Sequence, residues 1–385
     1  MSPLARRIAV GCAAVLTVGV SYGAGVVTGV MGSSSSTGGV IDAAADRIEE
    51  SAAEPVDRAE LERAAVEGML KSLGDRWSSY YDPSEYASFE DALEGRYSGV
   101  GLWVRAGRIG VVVGSVQAGS PAANAGMAPG DVIVSVDGWP TSGGSVREVV
   151  QRLRGVSGTE VSVSAIREGV VSTVVLTRSV LTTSDITVEQ LADGVTRIDI
   201  RTFTRGVGRR VREAIAGDPA TYAGGVVLDL RGNPGGLLDE AVEVASAFLD
   251  GGPVVSYEQR DAPDRVLEAL GQGNTTVPVV VLVDGGTASA AEVVTAALQD
   301  RNRAVVVGSR TYGKGSVQEP IVLPNGSAIE FTIGRYLTPA GRVIDGRGIE
   351  PDVLVDAAST PDVAEQRALE VLRGLTAALP VTDEG

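Results

Sequence analysis

The chain has 385 residues, a formal net charge of −16, one cysteine and no histidine. Its length supports two or three domains, and its acidity denies a nucleic-acid backbone the basic face it requires. The missing imidazoles exclude Ser-His-Asp and Cys-His catalysis and HExxH zinc sites, and a lone Cys12 excludes disulfide frameworks and cysteine metal clusters.

Acid–base chemistry must then come from Asp, Glu, Lys, Tyr or Arg. Of the 33 Lys and Arg residues, only Lys71 and Lys314 are lysines. Lysine can lose its proton when buried and arginine effectively cannot, so a lysine among arginines can mark a place where deprotonation matters.

Residues 1–7 form a short tail carrying Arg6 and Arg7. The uncharged stretch Ile8–Met31 is long enough to span a bilayer as a helix. The flanking arginines hold the N-terminus in the cytoplasm and place the rest outside. A cleavable signal peptide competes with this reading, but no clear A-x-A site follows the apolar run. Cys12 has too short an apolar lead for a lipobox. Residues 32–39 (GSSSSTGG) read as a flexible linker.

From 40 to 94 the pattern is helical, with Leu61, Val66, Met69, Leu70 and Leu73 available to pack. Residues 95–180 turn to short β-rich runs between glycine turns, at 110–114, 131–136, 160–166 and 170–176. Helices are expected near 121–126 and 145–153. Residues 181–355 alternate strand and helix: strands at 226–230, 277–283 and 304–307, helices at 237–249 and 288–298. This implies parallel strands with crossover helices, an α/β domain. Residues 356–385 read as a helical tail.

Three segments of the α/β domain carry chemistry. Asp284-Gly-Gly-Thr-Ala-Ser289-Ala-Ala-Glu292 is a strand-to-helix turn that sets Ser289 at a helix N-terminus, where free N–H groups favour developing negative charge. The same pattern also suits a plain N-cap at Thr287 or Ser289. Gly308-Ser-Arg-Thr-Tyr-Gly313-Lys314-Gly315-Ser316 nearly matches a P-loop. It has Gly315 where a Ser or Thr must hold magnesium, and a strand rather than a helix follows, so nucleotide binding is rejected. Asp229-Leu-Arg231-Gly-Asn233-Pro-Gly235-Gly236 ends a buried strand in a glycine turn, which is either structural or a source of a second oxyanion donor.

Together these segments resemble the C-terminal processing peptidases, or tail-specific proteases. The resemblance extends through YGKGSVQ at 312–318 and TPAGRVIDGRGIEPDV at 338–353. It implies Ser289 as nucleophile, Lys314 as general base 25 positions later and Gln318 orienting the lysine. It implies the Ala290 N–H and an N–H of Gly235 or Gly236 as oxyanion donors. The family usually has serine where this chain has Ala291. Chemically, burial lowers a lysine's pKa toward working pH, and the β-lactamase type of Ser-Lys pair is excluded because Glu292 stands where S-x-x-K needs lysine.

Residues 95–180 resemble a PDZ domain. Gly99, Val100, Gly101 and Leu102 stand where such domains carry their carboxylate-binding loop, and PDZ domains bind free C-termini as an added edge strand. The fold implied is an α/β protease core of Clp protease–crotonase type with an inserted PDZ domain, an N-terminal helical segment and a transmembrane helix. The implied function is a serine endopeptidase anchored in a bacterial cell membrane, with its catalytic part extracytoplasmic, acting on protein tails without metal or organic cofactor. Two protomers can pair through the flanking helices, as in relatives. The rival reading is a PDZ scaffold with a dead protease core. Ser289, Lys314 and Gln318 occurring together argue against it.

Overall fold

The structure, a computed structural model, describes residues 39–378 except 108–109, 183–184, 218–221 and 261. The expected anchor Ile8–Met31 with Cys12, and all of the expected linker but Gly39, lie outside the described residues. Among the described residues no helix is long and apolar enough to cross a membrane.

The chain divides into two compact units, one ending at Gly68 and one starting at Met69. The first holds α1 (Val40–Ser51) and most of α2 (Arg58–Ser72). There the Arg58 guanidinium pairs with Asp42, Asp46 and Glu62.

The second unit opens with β1 (Ser79–Tyr81) and α3 (Pro83–Leu93). Asp82 caps α3 by accepting the Ser84 and Glu85 N–H groups, and Glu85 accepts the Asp82 N–H in return. The segment 40–94, expected to be helical, carries α1, α2 and α3 and, between the last two, the strand β1. Ser79–Tyr81 pairs antiparallel with Ala328–Glu330. Its tyrosines favour a strand, and its partner lies too far along the chain for any local pattern to announce it.

A β-domain follows: β2 (Arg96–Gly99), β3 (Leu102–Gly107), β4 (Gly110–Val116), α4 (Pro121–Asn124), β5 (Val132–Val136), β6 (Trp139–Pro140), α5 (Val146–Leu153), β7 (Glu160–Arg167), β8 (Val170–Thr177) and β9 (Ser179–Thr182). Strands β3-β4-β5-β7-β8 make one antiparallel sheet, with β6 on β5. Alternate residues of β7 (Val161, Val163, Ala165) are buried with Val111, Val113, Ile133, Val149 and Leu176. The entering β2 pairs with the leaving β9, so the domain is inserted through adjacent ends.

The remainder is β10 (Ile186–Gln190), β11 (Val195–Ile200), α6 (Val207–Ala216), β12 (Gly225–Asp229), α7 (Leu238–Ser246), β13 (Pro253–Gln259), β14 (Ala262–Glu268), β15 (Val279–Val283), α8 (Ala290–Asp300), β16 (Val305–Gly308), β17 (Ser316–Val322), β18 (Ala328–Leu337), β19 (Val353–Leu354) and α9 (Pro361–Ala377). The central sheet runs β10-β11-β12-β15-β16-β19, parallel from β11 onward. Every residue of β12 and β15 is buried, as expected of parallel strands covered on both faces. Val226, Leu228, Val279 and Val281 pack toward α6, α7 and α8, and Val227, Val280 and Leu282 toward α9.

The α/β expectation thus holds, with its three strands found within two residues of the expected ends. The second sheet, β1-β18-β13-β14 with β17 on β18, was not foreseen beyond β17 itself. The helix expected over 237–249 is the shorter α7.

Candidate active site

Two turns at the C-terminal ends of neighbouring parallel strands meet here. The β12–α7 turn and the β15–α8 turn are tied by Asp284, whose Oδ1 accepts the Gly232 N–H at 2.8 Å and the Gly286 N–H at 2.9 Å. The Ala288 N–H donates to the Asn233 carbonyl, and the Thr287 hydroxyl donates to the Leu230 carbonyl. Asn233 is fully buried. Its amide donates to the Ile200 carbonyl at 2.7 Å, and its Oδ1 accepts the Gly235 N–H at 2.8 Å.

Ser289 is the residue before α8 and has φ 55° and ψ −120°, a conformation L-residues rarely adopt. It lies against Gly235. A Cβ there would come within 2.9 Å of the Ser289 Cβ and 3.2 Å of the Ala290 N, so glycine is required for the approach. Strain held at one half-buried serine, at a helix start beside a glycine turn, is the geometry of a presented nucleophile.

The Gly235 N–H is already donated to Asn233, which leaves Gly236 as the available donor of the expected pair. Neither the Gly236 N–H nor the Ala290 N–H, the first of α8, has an acceptor among the described residues. Both groups remain able to receive an anion.

Glu292, one turn into α8, is fully buried and joins the two halves of the site. Its Oε2 accepts the Ser289 N–H and the Lys314 N–H, each at 2.9 Å. Its Oε1 accepts the Gly313 N–H at 2.8 Å and the Thr311 hydroxyl. Burial holds the Glu292 carboxyl above the ordinary glutamate value, and these four donors offset that rise only in part. The sequence places this residue three positions after Ser289 but gives it no role. A glutamate three residues after a helix-capping serine looks like ordinary capping.

The lysine loop is braced from behind. A Cβ on Gly315 would sit 2.1 Å from the Asp345 N, so the 312–318 and 338–353 runs press backbone to backbone. Lys314 is half-buried. Desolvation holds its ammonium below the ordinary lysine value, while Glu330 and Asp75 work the other way. No hydrogen bond joins its Nζ to the Ser289 Oγ. The ammonium instead stands 4.6 Å from the centre of the Trp77 ring. Gln318 likewise does not reach the lysine, and its Nε2 donates to the Ser316 Oγ at 2.7 Å and the Thr332 Oγ1 at 3.1 Å. Ser289, Ala290 and Gly235 are therefore brought together, and the backbone of Lys314 is tied to them through Glu292. The Lys314 ammonium contacts Trp77 and the Gln318 amide bonds to Ser316 and Thr332, and neither is hydrogen-bonded to Ser289. No signal in the sequence points to Trp77.

In the β-domain, Gly99, Val100, Gly101 and Leu102 line a groove of about 510 Å³ together with Val104, Val150 and Leu153. Its far wall is Ser88, Asp91 and Ala92 of α3 with Asp185, Thr202 and Thr204. The groove is thus bordered by α3 and the start of the α/β domain as well as by the β-domain.

A model of peptidase family S41 matches residues 194–355, and a PDZ domain model matches residues 112–167. The chain is 33% identical over 311 residues to the carboxy-terminal processing protease CtpA of Bacillus subtilis, covering 80% of this chain and 66% of that protein. It is 35% identical over 304 residues to a probable CtpA-like serine protease of Staphylococcus aureus, covering 78% of this chain and 61% of that protein. The chain therefore spans a little under two thirds of the length of these curated relatives. Among solved structures, the photosystem II D1 C-terminal processing protease is 30% identical with a TM-score of 0.54, covering 86% of this chain and 96% of that one. A putative S41 protease of Bacteroides fragilis, 16% identical with a TM-score of 0.53, shares the fold. With its serine at a strained strand-to-helix turn and its inserted PDZ domain, the chain belongs to peptidase family S41, among the carboxy-terminal processing proteases.

Proposed function

We propose that this protein is a Ser-Lys endopeptidase that cleaves the C-terminal regions of extracytoplasmic proteins. The observation that carries the reading is the Glu292 carboxylate, which holds the Ser289 turn and the Lys314 loop on one oxygen. A group that buries a charge to fix two distant backbone segments is well suited to registering a nucleophile against its base.

In the reaction, Lys314 as free amine takes the proton of the Ser289 hydroxyl while Oγ attacks the scissile carbonyl carbon. The Ala290 and Gly236 N–H groups receive the oxyanion. Lys314 then returns the proton to the leaving amine as the C–N bond breaks, and water hydrolyses the acyl-enzyme by the same route. Gln318 orients the lysine once both side chains have turned inward. The core is of Clp protease–crotonase type, spanning about 181–355.

The PDZ groove takes the free tail of the substrate. Its lining of Val100, Leu102, Val150 and Leu153 favours an apolar last residue. The Ile8–Met31 segment anchors the chain in a bacterial membrane with these domains outside, and the flanking helices are the place where two protomers would pair. Both readings rest on the sequence and the family alone.

An unstructured test protein with an apolar C-terminus, incubated with wild type, Ser289→Ala and Lys314→Ala, tests the reading. Cleavage lost in both variants supports it. Cleavage that survives Lys314→Ala sinks the dyad, because the chain has no histidine to replace the lysine. The lack of a hydrogen bond between the Ser289 and Lys314 side chains is the one observation favouring a PDZ scaffold. That alternative predicts no cleavage by wild type and unchanged tail binding by Ser289→Ala.

A further inference from the structure

Trp77 lies in the turn before β1, far along the chain from Lys314, yet its ring is the surface on which the Lys314 ammonium stands, 4.6 Å from the centroid. The turn is firmly placed. Asp75 Oδ1 accepts the Trp77 N–H at 3.0 Å, and its Oδ2 accepts the Ser78 hydroxyl at 2.9 Å and the Thr332 N–H of β18 at 2.8 Å. Tyr312, two residues before the lysine, meets the indole edge to face at 6.1 Å. Thr332 also accepts from Gln318, so one β18 residue holds both the tryptophan turn and the glutamine expected to orient the lysine.

An aromatic face attracts a cation and not a neutral amine. A general base must be neutral and within hydrogen-bond reach of its proton. Contact with Trp77 therefore favours Lys314 in its inactive protonation state, in a position that is not bonded to Ser289. The charged and titratable groups facing it are Asp75 and Arg76 of the turn, Glu330 of β18, Tyr312 of its own loop and Glu292 of α8, which takes the Lys314 backbone N–H. Asp75 and Glu330 add to the attraction for the charged form, and the Arg76 guanidinium also lies over the Trp77 ring, at 4.6 Å.

We propose that Trp77 is a positioning residue that parks the Lys314 ammonium away from Ser289, so that the dyad forms only when the lysine leaves the indole face. This rests on the Ser-Lys reading and goes beyond it by assigning what holds the pair apart.

The test is the rate at which a fluorophosphonate labels Ser289 in the full chain. Trp77→Leu keeps apolar cover and removes the aromatic face, and it should label roughly three- to tenfold faster than wild type, the equilibrium worth of one cation–π contact. Trp77→Phe keeps a weaker face and should fall between them. Labelling of Trp77→Leu at or below the wild-type rate, with an unchanged melting temperature, overturns the proposal.

A second readout covers the case in which Trp77→Leu does not fold. In a Trp103→Phe, Trp139→Phe background, Trp77 is the only indole. Its emission should titrate with pH as the lysine loses its charge, and Lys314→Met should abolish that titration. Emission that titrates identically with and without Lys314 overturns the proposal. Wild-type labelling of Lys314→Met would instead remove the Ser-Lys reading itself, whatever Trp77 does.

Discussion

The Glu292 carboxylate and the Lys314 backbone N–H are 2.9 Å apart, and the same Glu292 oxygen accepts the Ser289 N–H. With the Gly313 N–H and the Thr311 hydroxyl on the other oxygen, four donors converge on one buried group. Glu292→Gln puts an amide N–H₂ where one of those oxygens stood and sets donor against donor. The expected result is a loss of about 2–4 kcal/mol in denaturant unfolding, since buried polar groups are left unmatched, and at least a hundredfold loss of kcat/KM. Full activity in Glu292→Gln would mean that the carboxylate does not register the two loops.

The backbone at Ser289 makes a separate prediction. Its φ of 55° with ψ of −120° suits glycine and burdens any residue with a Cβ. Ser289→Ala removes the hydroxyl and keeps the strain, whereas Ser289→Gly removes both. Both variants are expected to be inactive, but Ser289→Gly should be more stable than Ser289→Ala by about 1–2 kcal/mol, net of the glycine's chain entropy. Equal stability of the two would show that the surroundings have already relaxed the strain.

Composition narrowed the candidates for the proposed dyad: with no histidine and two lysines, Lys314 in a glycine loop stood out. Ser289 at a strand-to-helix turn read equally well as a plain N-cap, and only the resemblance to the processing peptidases gave it the nucleophile's role. The parallel core was legible from wholly apolar runs such as Val279–Val283, which need cover on both faces. Glu292 was hidden because its partners come from a loop some twenty positions on. Trp77 was hidden because a lone aromatic in a turn carries no periodicity. β1 and β18 were hidden for one reason: each is specified by the other, across most of the chain. That the Gly235 N–H is spent on Asn233 follows from a side-chain rotamer, which no sequence pattern encodes.

Gly235 separates presentation from folding. At φ 109°, a methyl there would press on the Ser289 Cβ and the Ala290 N. Gly235→Ala should cost about 10²–10³ in kcat, the scale of losing an oxyanion donor, because the methyl displaces the Ala290 N–H, while the protein still unfolds cooperatively. Gly236→Ala places its Cβ 2.4 Å from the Phe203 carbonyl oxygen and should fail in folding first. The comparison is of activity per folded molecule, and equal activity losses at equal stability in the two variants would refute the distinction.

In the proposed Ser-Lys mechanism the acid limb of the rate profile belongs to Lys314. Burial lowers its pKa from the ordinary 10.5, with Glu330 and Asp75 opposing the shift. The amine is the working form, so kcat/KM must rise with pH through a single ionisation centred below 10.5. Lys314→Arg cannot deprotonate and should lose about 10²–10⁴-fold at every pH. The same shift acts on stability. In the window between the lowered folded value and 10.5 the unfolded chain holds a proton that the native protein has released, so stability increases with pH there. Lys314→Met removes that dependence, and its advantage over wild type should be largest below the window and fade as the pH approaches 10.5. Urea unfolding of both proteins across that range measures it. A constant difference between them would mean that the lysine is no less basic in the folded protein than in the unfolded chain.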